Sequence, residues 1–76
     1  MPRIIPIPAT KLKKIFEKAG FNCVRVEGDH YIYTKGGVNR PIVIPNWQEI
    51  AVFIIRKNLR SANISREEYF SLLESS

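Results

Sequence analysis

The apolar positions change period along the chain, and each change marks an element. Leu12, Ile15, Phe16 and Ala19 recur at i, i+3, i+4 and i+7, one stripe of a helix. Thr10 offers an N-cap and Ala19 the last turn. Lys11, Lys13, Lys14 and Lys18 fall on the remaining faces. Gly20 stands where a helix closes through a left-handed residue. These lysines read either as a solvated helix face or as a ridge turned to phosphate.

From Cys23 the pattern becomes alternating and β-rich, and it predicts three strands: Cys23 to Glu27, His30 to Lys35 and Arg40 to Pro45. Gly28-Asp29 suits a two-residue type II′ hairpin turn, and Gly36-Gly37-Val38-Asn39 the next loop. Pro41 and Pro45 flank the last strand, as an edge strand tolerates.

These turn lengths set a register. Glu27 falls opposite His30, Arg25 opposite Ile32 and Cys23 opposite Thr34; Tyr33 pairs with Ile42 and Tyr31 with Ile44. One face then carries Val24, Val26, Tyr31, Tyr33, Ile42 and Ile44, the expected core face. The other carries Cys23, Arg25, Glu27, His30, Ile32, Thr34 and Val43, expected to face solvent or a partner.

Ile50 to Ile55 could locally be a strand. However, Ala51, Ile55, Leu59 and Ala62 keep helical spacing, so a helix from about Ala51 to Ala62 is expected, closed by Asn63. Ser65-Arg66-Glu67-Glu68 is a capping box, and a last helix should run from Arg66 to about Glu74 with Tyr69, Leu72 and Leu73 inward. The class is α+β: a three-stranded antiparallel sheet with helices on one face.

Composition narrows the possible chemistry. Seventy-six residues make one small domain, expected to bury only about 60% of its unfolded surface, so any site should be shallow. Cys23 is the single cysteine and His30 the single histidine. That excludes an internal disulfide and the usual zinc ligand sets, and it suits a reducing cytosol. Residues 1–9 form a proline-broken apolar arm that reads as no signal peptide, and no membrane-spanning run follows. No metal or cofactor is expected.

Charge is uneven. Net charge is +5, but residues 1–60 hold eleven basic and four acidic residues, a net +7, whereas residues 61–76 carry −2. A basic body favours polyanions, RNA or DNA first, although simple solubility would also account for it.

An imidazole titrates near pH 6.5, about neutral, and so serves as acid or base. The register sets Glu27 opposite His30, where it would orient the ring. Arg25 lies diagonally across, while Lys35 and Arg40 meet at the far hairpin tip. A histidine beside cations on an open sheet face suits attack by an RNA 2′-hydroxyl on its neighbouring phosphate. Without further information, the plainer reading of one exposed histidine is preferred. A Cys23–His30 catalytic pair fails, because the register separates them by about 13 Å. Tyr31 and Tyr33 could stack bases, but their face suggests core packing. Trp47 is either a lid on the core or an exposed anchor.

Taken together, Lys14-Ile15-Phe16-Glu17-Lys18-Ala19-Gly20-Phe21, the hairpin from Val24 to Tyr33, Arg40-Pro41-Ile42-Val43-Ile44-Pro45 and the closing Leu59 to Tyr69 resemble the HicA-like (YcfA-like) toxins of toxin–antitoxin pairs. The resemblance covers about residues 10–74. It implies a double-stranded-RNA-binding-like α-β-β-β-α fold and ribosome-independent mRNA cleavage without a metal. It also implies a cytoplasmic protein, a monomer when free or a hetero-oligomer with a HicB-like antitoxin. His30 falls on the family's catalytic histidine and Gly28 on the glycine of its Gly-Ser-His-like turn, which reverses the plainer reading of His30. Lys11, Lys14, Arg25, Lys35 and Arg40 become candidate RNA contacts, with Gly28, Asp29 and Glu27 in support. Asp29 stands where serine is common; it would pair with a charged ring but repel phosphate. The stretch from Trp47 to Phe53 lacks the Pro-Gly that often opens the second helix, and the N-terminal arm is outside the usual pattern. The alternative is a non-catalytic RNA-binding or protein-interaction module on the same fold.

Overall fold

The computed structural model describes residues 3–75, so Met1 and Pro2 of the arm lie outside the described residues. Six elements follow in order: α1 (Ala9–Lys18), β1 (Asn22–Glu27), β2 (His30–Thr34), β3 (Ile42–Pro45), α2 (Val52–Ala62) and α3 (Arg66–Ser75). The strands form one antiparallel sheet in the order β1-β2-β3, and α1 and α2 both pack against β3. This is the expected α+β class, and the closing helix expected from Arg66 is present, one more than the α-β-β-β-α order that the resemblance implies.

Helix ends follow the local chemistry of the chain. α1 begins one residue before Thr10; Pro8 occupies the cap position, and no side chain caps the helix. The fixed φ of proline and its carbonyl, which accepts from the Lys11 and Leu12 N–H groups, start the turn instead. At its C-terminus, Gly20 adopts φ +99°. The Gly20 N–H donates to the Glu17 carbonyl and the Phe21 N–H to the Phe16 carbonyl, a Schellman closure. The Phe16 and Phe21 rings meet edge to face at 5.4 Å, which supplies the apolar contact of that closure. α2 closes in the same way. Asn63 is left-handed at φ 58°, and the Ile64 N–H reaches the Leu59 carbonyl. α3 opens with the Ser65 hydroxyl accepting from the Glu68 N–H, one half of the expected capping box.

The β2–β3 register is the expected one, with Tyr31 opposite Ile44 and Tyr33 opposite Ile42. The first hairpin departs from expectation. Glu27 opposes His30 and Arg25 opposes Ile32, but Cys23 opposes Tyr33 instead of Thr34, because a bulge between Cys23 and Arg25 adds one residue to β1. Val24 leaves the alternation as a result. Val24 and Val26 are both 55% exposed rather than core, since β1 is an edge strand and the helices lie over β3. Cys23, on the face expected to be open, is exposed. Ile32, expected on the open face, is nevertheless buried, outside the main core cluster.

The core joins Leu12, Ile15 and Phe16 of α1 to Tyr33, Ile42 and Ile44 of the sheet, and to Ile55 and Leu59 of α2. Ile4 and Ile7 of the arm are part of it. Ile7 bridges to Ile50, whose N–H donates to the Ile7 carbonyl at 2.7 Å, so the arm is pinned to the segment before α2. Asn58 is the buried polar residue of α2, and its amide donates to the Val43 carbonyl at 3.2 Å. That bond ties α2 to β3 and satisfies a group that burial would otherwise strand.

Two buried tyrosines differ in one respect. The Tyr33 hydroxyl donates to Glu17 at 2.8 Å, whereas the Tyr69 hydroxyl is buried without a partner among the described residues. Burial, with the Glu17 bond and charge, raises the Tyr33 pKa, and burial alone raises that of Tyr69. Because both folded values lie above the unfolded one near 10, unfolding releases protons in strong alkali. Stability should therefore hold below about pH 10 and fall above it, as measured by denaturant melts from pH 8 to 11. Tyr69→Phe removes a stranded hydroxyl and should leave the fold unchanged or stabilise it by about 1 kcal/mol, read from the same melts.

Candidate functional site

The single histidine is placed by a turn that only glycine enters easily. Gly28 adopts φ +62° whereas Asp29 keeps a negative φ, the combination that a type II′ turn requires. An added Cβ at Gly28 would meet nothing within 4 Å, so the demand for glycine there is purely conformational. The Asn46 N–H donates to the Asp29 carbonyl at 2.7 Å, which fastens the turn to the end of β3. His30 starts β2 directly after the turn, opposite Glu27 on one side and Pro45 on the other.

The ring is about half exposed. Its Nδ1 lies 2.9 Å from the Asp29 carboxylate. An Nδ1–H donated to that oxygen fixes the tautomer and leaves Nε2 as the nitrogen available to a ligand. The expected partner was Glu27, but Glu27 is instead ion-paired with Arg25, two residues back on the same face of β1. The register does bring Glu27 beside the histidine. The nearer arginine takes its carboxylate, and the turn residue orients the ring. Asp29 thus does the orienting expected of Glu27, in keeping with the pairing to a charged ring that its place beside His30 suggested.

The candidate cations do not form one cluster. Lys11 and Lys14 are exposed on α1. Arg25 shares the open face with His30, bound to Glu27. Lys35 folds back, and its Nζ donates to the Ala19 carbonyl at 2.7 Å, completing the end of α1. Arg40 lines a groove with Lys35 beyond the far end of β2. Five positions of strand separate His30 from Lys35, about 17 Å. Lys13, not among the candidate RNA contacts, lies 3.9 Å over the Tyr31 ring, a cation–π contact that covers the half-buried tyrosine.

Trp47 is neither a full lid nor a free anchor. It is 45% exposed and lines a small cleft with Pro8, Thr10 and Gln48, and its carbonyl accepts from the Ala9 N–H at 3.0 Å. Cys23 lies opposite Tyr33, three positions along from His30, or about 10 Å, still beyond hydrogen-bond reach. Among the described residues, no three His, Cys, Asp or Glu side chains gather as a metal-ligand set. Among those residues, too, no helix is long and apolar enough to cross a membrane.

A sheet with one oriented histidine at a hairpin turn, flanked by an amphipathic first helix and a basic second one, now stands as a fold with a site. The profile of the HicA toxin of bacterial toxin–antitoxin systems matches residues 9–64, and the chain belongs to that family. No curated protein matches the chain. The matched span takes in α1, the whole sheet and α2; the arm and α3 fall outside it.

Gly28→Ala should cost about 1 kcal/mol in unfolding free energy through backbone strain alone, because open space surrounds the new methyl. A chemical melt of the variant beside the parent checks this, with a loss near zero arguing against the turn type.

Proposed function

We propose that the chain is an endoribonuclease toxin that cleaves mRNA by histidine acid–base chemistry and is neutralised by a HicB-like antitoxin. The observation that supports this best is the geometry of His30. The ring is half exposed, Asp29 holds Nδ1, and Nε2 is left for substrate. Membership in a toxin family supports the biological role.

In the reaction envisaged, a 2′-oxygen attacks the adjacent phosphorus and the bond to the 5′-oxygen of the next nucleotide breaks. The products are a 2′,3′-cyclic phosphate and a 5′-hydroxyl. Nε2 takes the 2′-hydroxyl proton or returns one to the leaving oxygen. The Asp29 carboxylate steadies the imidazolium formed in between, and this offsets its repulsion of phosphate. Arg25 is the nearest candidate on the same face to stabilise the phosphorane charge, exchanging Glu27 for phosphate oxygens. Lys11, Lys14 and Arg40 add phosphate contacts farther out. Lys35 contributes its charge to the field while its donor serves α1. Proton transfer and charge stabilisation are all this route needs, so no metal enters the proposal. The antitoxin would act by covering the open face, and the setting is the cytoplasm, where mRNA is available.

Cleavage of a labelled RNA by the purified chain in EDTA, run beside His30→Ala, tests the reading. The parent should generate cyclic-phosphate ends, and the variant should be slower by about 10² to 10⁴. Equal rates would sink His30 as the catalytic group. Binding without cleavage by either chain would leave the non-catalytic RNA-binding module.

A further inference from the structure

The cations absent from the histidine site are concentrated elsewhere. α2 carries two stripes at the same helical spacing. Ile55, Asn58, Leu59 and Ala62 form the buried stripe. Phe53, Arg56, Lys57 and Arg60 stand at i, i+3, i+4 and i+7 of a second stripe, and all four are exposed. This second stripe forms one wall of an open groove of about 1140 Å³, and the β2–β3 loop with Arg40 forms the other. Glu68 is the acidic residue in its lining.

Two features set this groove apart from an ordinary solvated face. Among the described residues, the side chains of Arg40, Arg56, Lys57 and Arg60 make no hydrogen bond or ion pair within the chain. Like charges at i, i+3 and i, i+4 on one helix also work against that helix. At the head of the row, Phe53 is 71% exposed, the most exposed of the large apolar side chains among the described residues. A row of unpaired cations ending in a bare ring matches a strand whose phosphates and base faces are both accessible. A duplex would hide its bases from the ring. An acidic peptide would match the charges but give the ring no base to stack on.

We propose that this groove binds a single-stranded RNA segment, with Arg40, Arg56, Lys57 and Arg60 on its phosphates and Phe53 against a base, as a site separate from the His30 centre. The choice of RNA rests on the nuclease reading above; the groove itself rests on the α2 stripe. Such a site would hold the strand at one end of the sheet while the phosphate to be cleaved lies at the other.

The test uses the full chain and a fluorescein-labelled 12-nucleotide 2′-O-methyl RNA, which has no free 2′-hydroxyl and so separates binding from cleavage. Anisotropy titrations across a salt series give affinity and salt slope. The triple variant Arg56→Gln, Lys57→Gln, Arg60→Gln should flatten the log–log salt slope by about 2, near 0.7 for each phosphate no longer neutralised. Phe53→Ala should weaken binding about tenfold and leave the slope unchanged. Circular dichroism checks that each variant is folded. Should the triple variant not fold, Arg56→Gln alone is read for a slope change of about 0.7. Parent-like affinity and slope in the charge variants overturn the proposal. So does competition by polyglutamate as strong as that by polyuridylate and indifferent to Phe53→Ala, which would make the groove a surface for an acidic protein. A chain that cleaves no RNA yet binds it more weakly in the groove variants keeps this proposal and discards the nuclease reading. Cleavage that depends on His30, with groove variants binding normally, does the reverse.

Discussion

The grip of the central strand on the last turn of α1 holds the rest of the molecule in place. Tyr33 and Lys35 are two residues apart, in and just beyond β2. The Tyr33 hydroxyl holds Glu17, and the Lys35 amine holds the Ala19 carbonyl. Beside them the chain closes through Gly20 and sets Phe21 edge to face against Phe16. A hydrogen bond to a charged acceptor and an amine on an orphan carbonyl are each modest in water. Their value here is directional. They fix where α1 lies along β2, and the hydrophobic contacts of Leu12, Ile15 and Phe16 then bury in one arrangement only. His30 begins that same strand. The clamp at one end therefore sets the frame in which the histidine at the other end presents Nε2.

Much of this was legible in the sequence, and the reason is short range. The Gly28-Asp29 turn, the four-residue loop, the left-handed Asn63 and the Ser65 cap depend on a few adjacent residues, and their chemistry admits few alternatives. The same holds for His30 opposite Glu27, since two residues after a tight turn fix that pair. What escaped was decided at a distance. No local pattern announces the bulge at Val24, because Cys23 to Glu27 alternates as any regular strand would. Val24 and Val26 looked like core because alternation says which face a side chain takes but not whether a helix covers it. Ile4 and Ile7 looked like an appendage because the prolines around them signal a break, although a broken segment can still bury its apolar residues.

The histidine site follows a related rule. Register brought Glu27 and His30 together, yet proximity did not decide the pairing. Arg25 competed for Glu27, and Asp29, adjacent in sequence, took the ring. Register can place the members of a polar cluster; which of them pair depends on every charge within reach. The second stripe of α2 was also visible in the sequence as spacing. It is easily overlooked because helical periodicity is sought among apolar residues, and this stripe is mostly cationic.

The pinned arm has a consequence for how the chain acquires its shape. Ile7 closes on Ile50, so the arm waits for a partner that follows the sheet in the chain. During synthesis α1 and the hairpins can begin to organise, but the base of the core stays open until Ile50 has left the ribosome. A contact of such long sequence separation raises the entropic barrier to folding. The segment from Asn46 to Ile50 thus acts as a late latch: it joins the chain's beginning to its middle, and it also anchors the turn that carries His30. The turn that carries His30 therefore gains its Asn46 tether only once this latch segment is in place.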